Sequence, residues 1–179
     1  MTSPQLSIIA DINDTTFYPD RSLAKDPNSF KVRVASRGLL LHKNTVALLH
    51  VAKNNYHKLP GGGVEAGETK QQAFLREILE ETGCHSQIID HGGITLEHRY
   101  RWDLIQMSYI YLAEVVGEPG TPNFDSWEID DGFSLRWIPI TKLKQSFNED
   151  DLTDYEVKFI HQRDTQIIQH YYSQLDKHS

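Results

Sequence analysis

The chain of 179 residues has a single cysteine, Cys84. That excludes a disulfide framework and any multi-cysteine zinc site, and it suits a reducing, cytoplasmic setting. Long apolar runs are missing too. The longest span only a few residues, such as Leu39-Leu40-Leu41, so no membrane-crossing helix is expected. The opening segment MTSPQLSIIADIND carries no basic residues before its short apolar run, and it does not read as a secretion signal. Glycine (11) and proline (7) are too few for a disordered or collagen-like chain. Basic side chains are in deficit, 18 Lys and Arg against 25 Asp and Glu, for a net charge of −7. Broad, charge-driven binding to polymeric nucleic acid is therefore not expected. A small anionic substrate stays open, because a bound metal reverses the local sign.

What is present suits one soluble domain. Hydrophobic residues make up 39% and charged residues 24%, in a chain long enough to bury a sizeable core. We expect a single domain over residues 1–179, with residues 1–29 as an N-terminal extension. Residues 7–11 suit a short strand, and residues 13–28, with two prolines and several acids, suit a loop. Residues 30–41 and 45–52 suit a hairpin turning at 42–44. Residues 105–116 and 133–138 suit strands. The stretch 117–132 suits a long loop, and 139–147 a short helix. Residues 155–175 suit a C-terminal helix, with Val157, Ile160, Ile168, Tyr171 and Leu175 at helical spacing. Strands interleaved with helices indicate an α/β or α+β domain with a mixed sheet.

The informative segment is residues 61–84, GGGVEAGETKQQAFLREILEETGC. The run from Leu59 to Gly63 cannot be helix or central strand and is expected to be a loop. The segment is not a nucleoside-triphosphate P-loop, because Glu68 stands where the lysine should be and would repel the phosphate. Thr69 starts a helix, with Gln72 as its capping-box partner, and Gly83 ends it. At about 100° per residue, Phe74, Leu75, Ile78, Leu79 and Thr82 share the expected core face. Glu77, Glu80 and Glu81 fall on another face.

Charged helix faces are ordinarily just solvated. This one is placed unfavourably. Its acids repel one another by about 0.2–0.5 kcal/mol per pair in an isolated helix, and two of them stand in the last turn, where the dipole is already negative. Clustered carboxylates are what a hard cation such as Mg²⁺ takes, together with waters and substrate phosphates. Arg76 can orient them, and Glu68 can reach the same neighbourhood.

The spacing Gly62, five residues, Glu68, seven residues, Arg76-Glu77-Ile78, one residue, Glu80-Glu81, one residue, Gly83 resembles the signature box of the Nudix hydrolases. All seven fixed letters are present. Cys84 departs from the aliphatic residue usual there. The flanks 46–60, 108–117 and 135–138 also resemble the family, so the likeness spans residues 30–145. It implies an α/β/α sandwich with a mixed β-sheet. It also implies an Mg²⁺-dependent hydrolase, with Mn²⁺ as a substitute cation, that cleaves a diphosphate bond in a nucleoside diphosphate-X or nucleoside triphosphate by metal-assisted attack of water on phosphorus. By position, Glu77, Glu80, Glu81 and the backbone carbonyl of Gly61 would hold the metal. Glu68 would support that shell, and Arg76 would orient it.

The general base is sought either in the box or in the acidic stretch 125–131, with Asp131 first and Glu128 second. Tyr100, some 16 residues past the box, falls where the family carries substrate markers. Tyr56, Trp102 and Trp127 can stack on a base. Arg99 and Arg101 can contact phosphate or form the exposed face of a strand, and Arg33 and Arg37 are similar candidates. The nine histidines show no metal-ligand spacing and are expected at the surface or satisfied in the core. Cys84 reads as a small buried hydrophobe, which argues against an isomerase using cysteine. A non-catalytic nucleotide sensor is the competing reading. The expected partner is a small nucleotide, with no membrane, and the C-terminal helix suits capping the domain or supporting a homodimer. The charge has an address: residues 61–84 carry −3 and residues 121–135 carry −4, the whole excess.

Overall fold

A computed structural model describes residues 6–19 and 29–175. The chain forms β1 (Ile8–Asn13), β2 (Lys31–His42), β3 (Thr45–Val51), β4 (Tyr56–Lys58), β5 (Gly61–Gly63) and α1 (Lys70–Thr82). There follow β6 (Ser86–Arg99), β7 (Leu104–Val115), α2 (Ser126–Asp130), β8 (Phe133–Pro139), α3 (Leu143–Ser146) and α4 (Tyr155–Leu175). The strands form one sheet in the order β1-β6-β7-β2-β3-β4, with β5 added on β2 and β8 on β3. Pairing is mixed: β1–β6 and β2–β7 are parallel, and the remaining pairs are antiparallel.

The period of two along β2 sends its side chains into two cores. Leu39 and Leu41 join Ile110, Leu112 and the α4 residues Ile167, Ile168 and Tyr171. Leu40 joins Ala47, Tyr111, Ala113 and the α1 residues Phe74 and Ile78. The sheet thus lies between α1 and α4, an α+β sandwich. A third cluster ties Ala10 and Ile12 of β1 to Tyr155 and Phe159 of α4. No described helix is long and apolar enough to cross a membrane.

Several expected elements stand where the spacing put them. Thr69 and Gln72 form the reciprocal capping box, and Gly83 closes α1 at φ 70°. Three expected loops need correction. Gly61–Gly63 is a strand, not a loop, because β2 offers it a free edge. Its glycines permit a very close approach: a Cβ on Gly61 would lie 2.4 Å from the Ser36 carbonyl oxygen. Residues 86–99, to which the sequence assigned no element, form a long strand interrupted by Gly92-Gly93 and by register shifts. The expected loop 117–132 contains α2. The expected hairpin of β2 and β3 forms, and it pairs at two rungs, Leu41–Val46 and His42–Thr45, before the strands part to other neighbours. Of the expected loop 13–28, Asp14–Thr16 is a 3₁₀ turn, and residues 20–28 lie outside the described residues.

Helix α1 carries the correction that matters most for the site. Leu75 and Leu79 are exposed, whereas Glu81 is buried beside Phe74, Ile78 and Thr82. The buried stripe is rotated about the helix axis, away from the two leucines and toward the acids.

Candidate active site: a charged cavity beside the glycine strand

A cavity of about 420 Å³ opens where α1, β2, β4, β5, α2 and α4 meet. The acids of α1 form one wall. Glu81, 2% exposed, accepts from the Gly61 backbone N–H at 2.6 Å and from Lys58 Nζ at 2.9 Å. Burial pushes its carboxyl above the ordinary range, opposed by Lys58. Glu77 is raised by burial and then by the charge of Glu81, so the two carboxylates sense each other. The Glu77 carboxylate lies over Gly62, where an added Cβ would stand 2.3 Å from its Oε1.

Arg76 gathers this wall. It donates to Glu68 Oε1 at 2.9 Å and Oε2 at 3.2 Å, to Glu77 at 2.9 Å, to Glu80 at 3.0 Å and to the Gly63 carbonyl at 3.0 Å. The Glu68 carboxylate is held below its usual range by Arg76 and by the Glu65 N–H. The structure therefore brings together Gly61, Glu68, Arg76, Glu77, Glu80 and Glu81.

The residues toward which the expectations pointed for substrate and base divide. The loop after β7 is tied to the end of α1 by Asn123 N–H to the Glu80 carbonyl at 2.7 Å and Gly120 N–H to the Gly83 carbonyl at 3.1 Å. This sets α2 at the cavity. Glu128 is buried, accepts from the Asp125 N–H at 2.8 Å, and has its carboxyl raised by burial. Asp131 also reaches the cavity, but it pairs with exposed Lys53 at 2.6 Å. Tyr56 and Trp127 line the cavity, and Trp127 leans edge-on against Phe133.

Arg99 lines the cavity but is not an exposed strand residue. It is 2% exposed and bound to Glu97 and Glu156. Tyr100 and Arg101 do not line it. Residues 100–102 leave β6 in a 3₁₀ turn, where the Tyr100 N–H bonds Asp14 and the Arg101 guanidinium lies over the Tyr155 ring. Trp102 is likewise outside it, edge-on to Tyr155.

Sequence reading missed the opposite wall. Glu97 is fully buried under Arg99 and Arg163, with Gln106 donating to it at 3.2 Å. Burial alone would raise Glu97, but Arg163, Arg99 and Arg37 hold it down at about 2. Arg163 also pairs with Asp164 at 2.7 Å. Alternate polar residues on β6 and β7 were the available signal, but α4's contribution from more than fifty positions away had none. Lys58 was missed because nothing in its own stretch shows that it meets Glu81 of α1. Cys84 is fully buried in the apolar α1 core. His57 and His161 are satisfied by Asp150, at 2.8 and 3.0 Å.

Among the described residues no group of three or more His, Cys, Asp or Glu side chains is close enough to enclose a metal ion. The donor set nevertheless fits an open divalent site. Two mutually repelling, desolvated carboxylates sit over bare glycine backbone, and Mg²⁺ commonly takes one or two carboxylates and fills its shell with water and substrate oxygens.

The family model described as NUDIX domain matches residues 30–162. An RNA pyrophosphohydrolase of Psychrobacter cryohalolentis is 25% identical over 141 residues, covering 66% of this chain and 78% of that one. Another, of Shewanella sediminis, is 27% identical over 114 residues, covering 52% of this chain. The chain spans 63% of that relative's length, less than two thirds. A NUDIX hydrolase of Nitrosomonas europaea shares the fold with TM-score 0.61 and 20% identity, covering 80% of this chain and 90% of that one. A NUDIX-family hydrolase of Clostridium perfringens does so with TM-score 0.53 and 17% identity, covering 76% and 96%. With the box intact and three quarters of its length matched, the chain belongs to the Nudix hydrolases, a family of enzymes acting on pyrophosphate bonds.

Proposed function

We propose that this chain is an Mg²⁺-dependent hydrolase that splits the diphosphate bond of a nucleoside diphosphate-X or nucleoside triphosphate by attack of water on phosphorus. The observation that carries the reading is the inward turn of α1, which buries Glu81 and half-buries Glu77 against Gly61 and Gly62. A helix selected for stability alone would bury Leu75 and Leu79 instead.

Glu77, Glu80, Glu81 and the Gly61 carbonyl would hold the cation, with Glu68 supporting through Arg76. Bound there, it would neutralise charge on phosphoryl oxygens and acidify a water. Arg76 fixes the carboxylates of Glu68, Glu77 and Glu80 by four hydrogen bonds and is itself anchored on the Gly63 carbonyl by a fifth, so little reorganisation is left for the reaction. Glu128 faces this wall from α2. Its raised carboxyl suits a general base better than that of Asp131, which Lys53 occupies. Tyr56 and Trp127, which line the cavity, provide faces for a base.

The intact acids and Arg76 disfavour a non-catalytic sensor, which has no use for a strained carboxylate wall. The relatives named RNA pyrophosphohydrolase add an RNA carrying a pyrophosphate bond to the candidate substrates. The test is an Mg²⁺ assay over nucleotide sugars, dinucleoside polyphosphates, ADP-ribose, normal and oxidised nucleoside triphosphates, and such an RNA. Hydrolysis of at least one, lost with Mg²⁺ removal, is expected. No hydrolysis across the panel would favour the sensor.

A further inference from the structure

Arg33 and Arg37 share one face of β2 and bracket the glycine strand. Arg37 pairs in register with Gly61 at one end of β5. At the other end the Arg33 guanidinium passes Gly63, its Nη2 3.6 Å from where a Cβ on that glycine would stand. Both line the cavity that the α1 carboxylates line.

Their partners set them apart. Arg76, Arg99 and Arg163 each hold carboxylates at 3.0 Å or less. Among the described residues, neither Arg33 nor Arg37 has a carboxylate within ion-pair reach. Arg37 is 5% exposed, and its one side-chain hydrogen bond runs from Nε to Ser108 Oγ at 3.2 Å. The nearby acids Glu97 and Asp164 are taken by Arg99 and Arg163. A guanidinium has five N–H donors, and among the described residues four of those on Arg37 have no acceptor. They are not among the sealed, orphaned polar atoms of the interior, so they open onto the cavity.

A buried cation with no acid of its own is costly: burial and the charge of Arg163 weigh most against Arg37, Asp164 and Glu97 offset them only from beyond ion-pair reach, and Arg33 adds repulsion. The cavity thus has two walls that are each unfavourable alone, crowded carboxylates on α1 and, on β2, the desolvated guanidinium of Arg37 with the exposed Arg33 on the same face. A cation relieves the first. An anion relieves the second, and paired guanidiniums suit the forked oxygens of a phosphoryl group.

We infer that Arg33 and Arg37 form an anion subsite for a charged group of X beyond the scissile diphosphate. The chain then acts on substrates whose X is itself phosphorylated or otherwise anionic, in preference to those whose X is a neutral sugar. This rests on the hydrolase reading above and names its substrate class.

The test compares kcat/KM with Mg²⁺ on diadenosine tetraphosphate, whose X is anionic, and on ADP-ribose, whose X is neutral. The wild type is expected to favour the tetraphosphate, and Arg37→Gln to lower the ratio of the two at least tenfold. An unchanged ratio overturns the subsite. Calorimetry with inorganic tripolyphosphate and pyrophosphate separates this from failure of the hydrolase reading. Tighter binding of tripolyphosphate by wild type, weakened at least tenfold in Arg37→Gln, supports the subsite even where no substrate turns over, and that combination overturns the hydrolase reading alone. Equal tripolyphosphate affinity in wild type and variant overturns the subsite. Arg37→Gln is expected to melt no lower than wild type. Should it not fold, exposed Arg33→Gln gives the same two comparisons.

Discussion

Lys58 Nζ stands 2.9 Å from Glu81 Oε1, with both side chains buried. This contact lets an acid occupy the inner face of α1, where a leucine would otherwise pack. Lys58→Met leaves Glu81 desolvated with only the Gly61 N–H. The expected loss is about 3–5 kcal/mol, read by chemical denaturation without divalent cation. Mg²⁺ is expected to return more stability to this variant than it adds to wild type, by the linkage of binding to folding.

Gly62→Ala isolates the position of the Glu77 carboxylate. The backbone at Gly62 does not require glycine, but the new Cβ would lie 2.3 Å from Glu77 Oε1. The carboxylate is at the end of a flexible side chain and can move aside at little cost to the fold. Displacement by about 1 Å is enough to cost about 100-fold in turnover. Melting within a few degrees of wild type with kcat/KM reduced to that extent is the expected pair of results.

Much of α1 was legible in the sequence and its rotation was not. Thr69, Gln72 and Gly83 mark the ends through local hydrogen bonds and a left-handed residue, which depend on near neighbours. Which face is buried depends on what waits opposite. Lys58 and the Gly61 N–H draw Glu81 inward, and neither is visible in the helix's own periodicity. Gly61–Gly63 reads locally as a loop for the same reason, since only the free edge of β2 makes it a strand. Arg99 alternates with polar neighbours like an exposed strand residue, yet α4 covers it from more than fifty positions away. The site's acidic half lies in one contiguous segment and could be found. Its basic half is assembled from β2, β6 and α4.

Glu97 gives the fold a titration of its own. Its pKa is about 2 in the folded chain and about 4.3 in an unfolded one. A depressed carboxyl stabilises above the unfolded value, and that contribution is lost as pH falls through the folded value. Denaturation midpoints are expected to drop between about pH 4.5 and 2. Glu97→Gln is expected to flatten that part of the profile and to cost about 3–5 kcal/mol at pH 7, since Arg99 and Arg163 lose their shared counter-charge.

Glu128 and Asp131 are separated by kinetics. Glu128→Gln is expected to lower kcat by about 10²- to 10⁴-fold, the usual worth of a general base. Asp131→Asn loses an ion pair with exposed Lys53 and is expected to change kcat little. Because burial raises Glu128, the wild-type rate falls on its acid side at a pH above the ordinary carboxylate range, where the base takes up its proton. A steep kcat loss in Asp131→Asn with Glu128→Gln unaffected would reverse the assignment.

The most direct measurement is Mg²⁺-dependent hydrolysis of diphosphate substrates by wild type, Glu80→Gln and Glu81→Gln, each checked for folding by circular dichroism. Glu80 is the safer variant for the fold, being the most exposed of the three acids, while Glu81 sits deepest in the wall. Turnover by wild type, abolished in both folded variants, is the predicted result. Undiminished turnover in folded Glu81→Gln would contradict the assignment of the α1 carboxylates as the cation site.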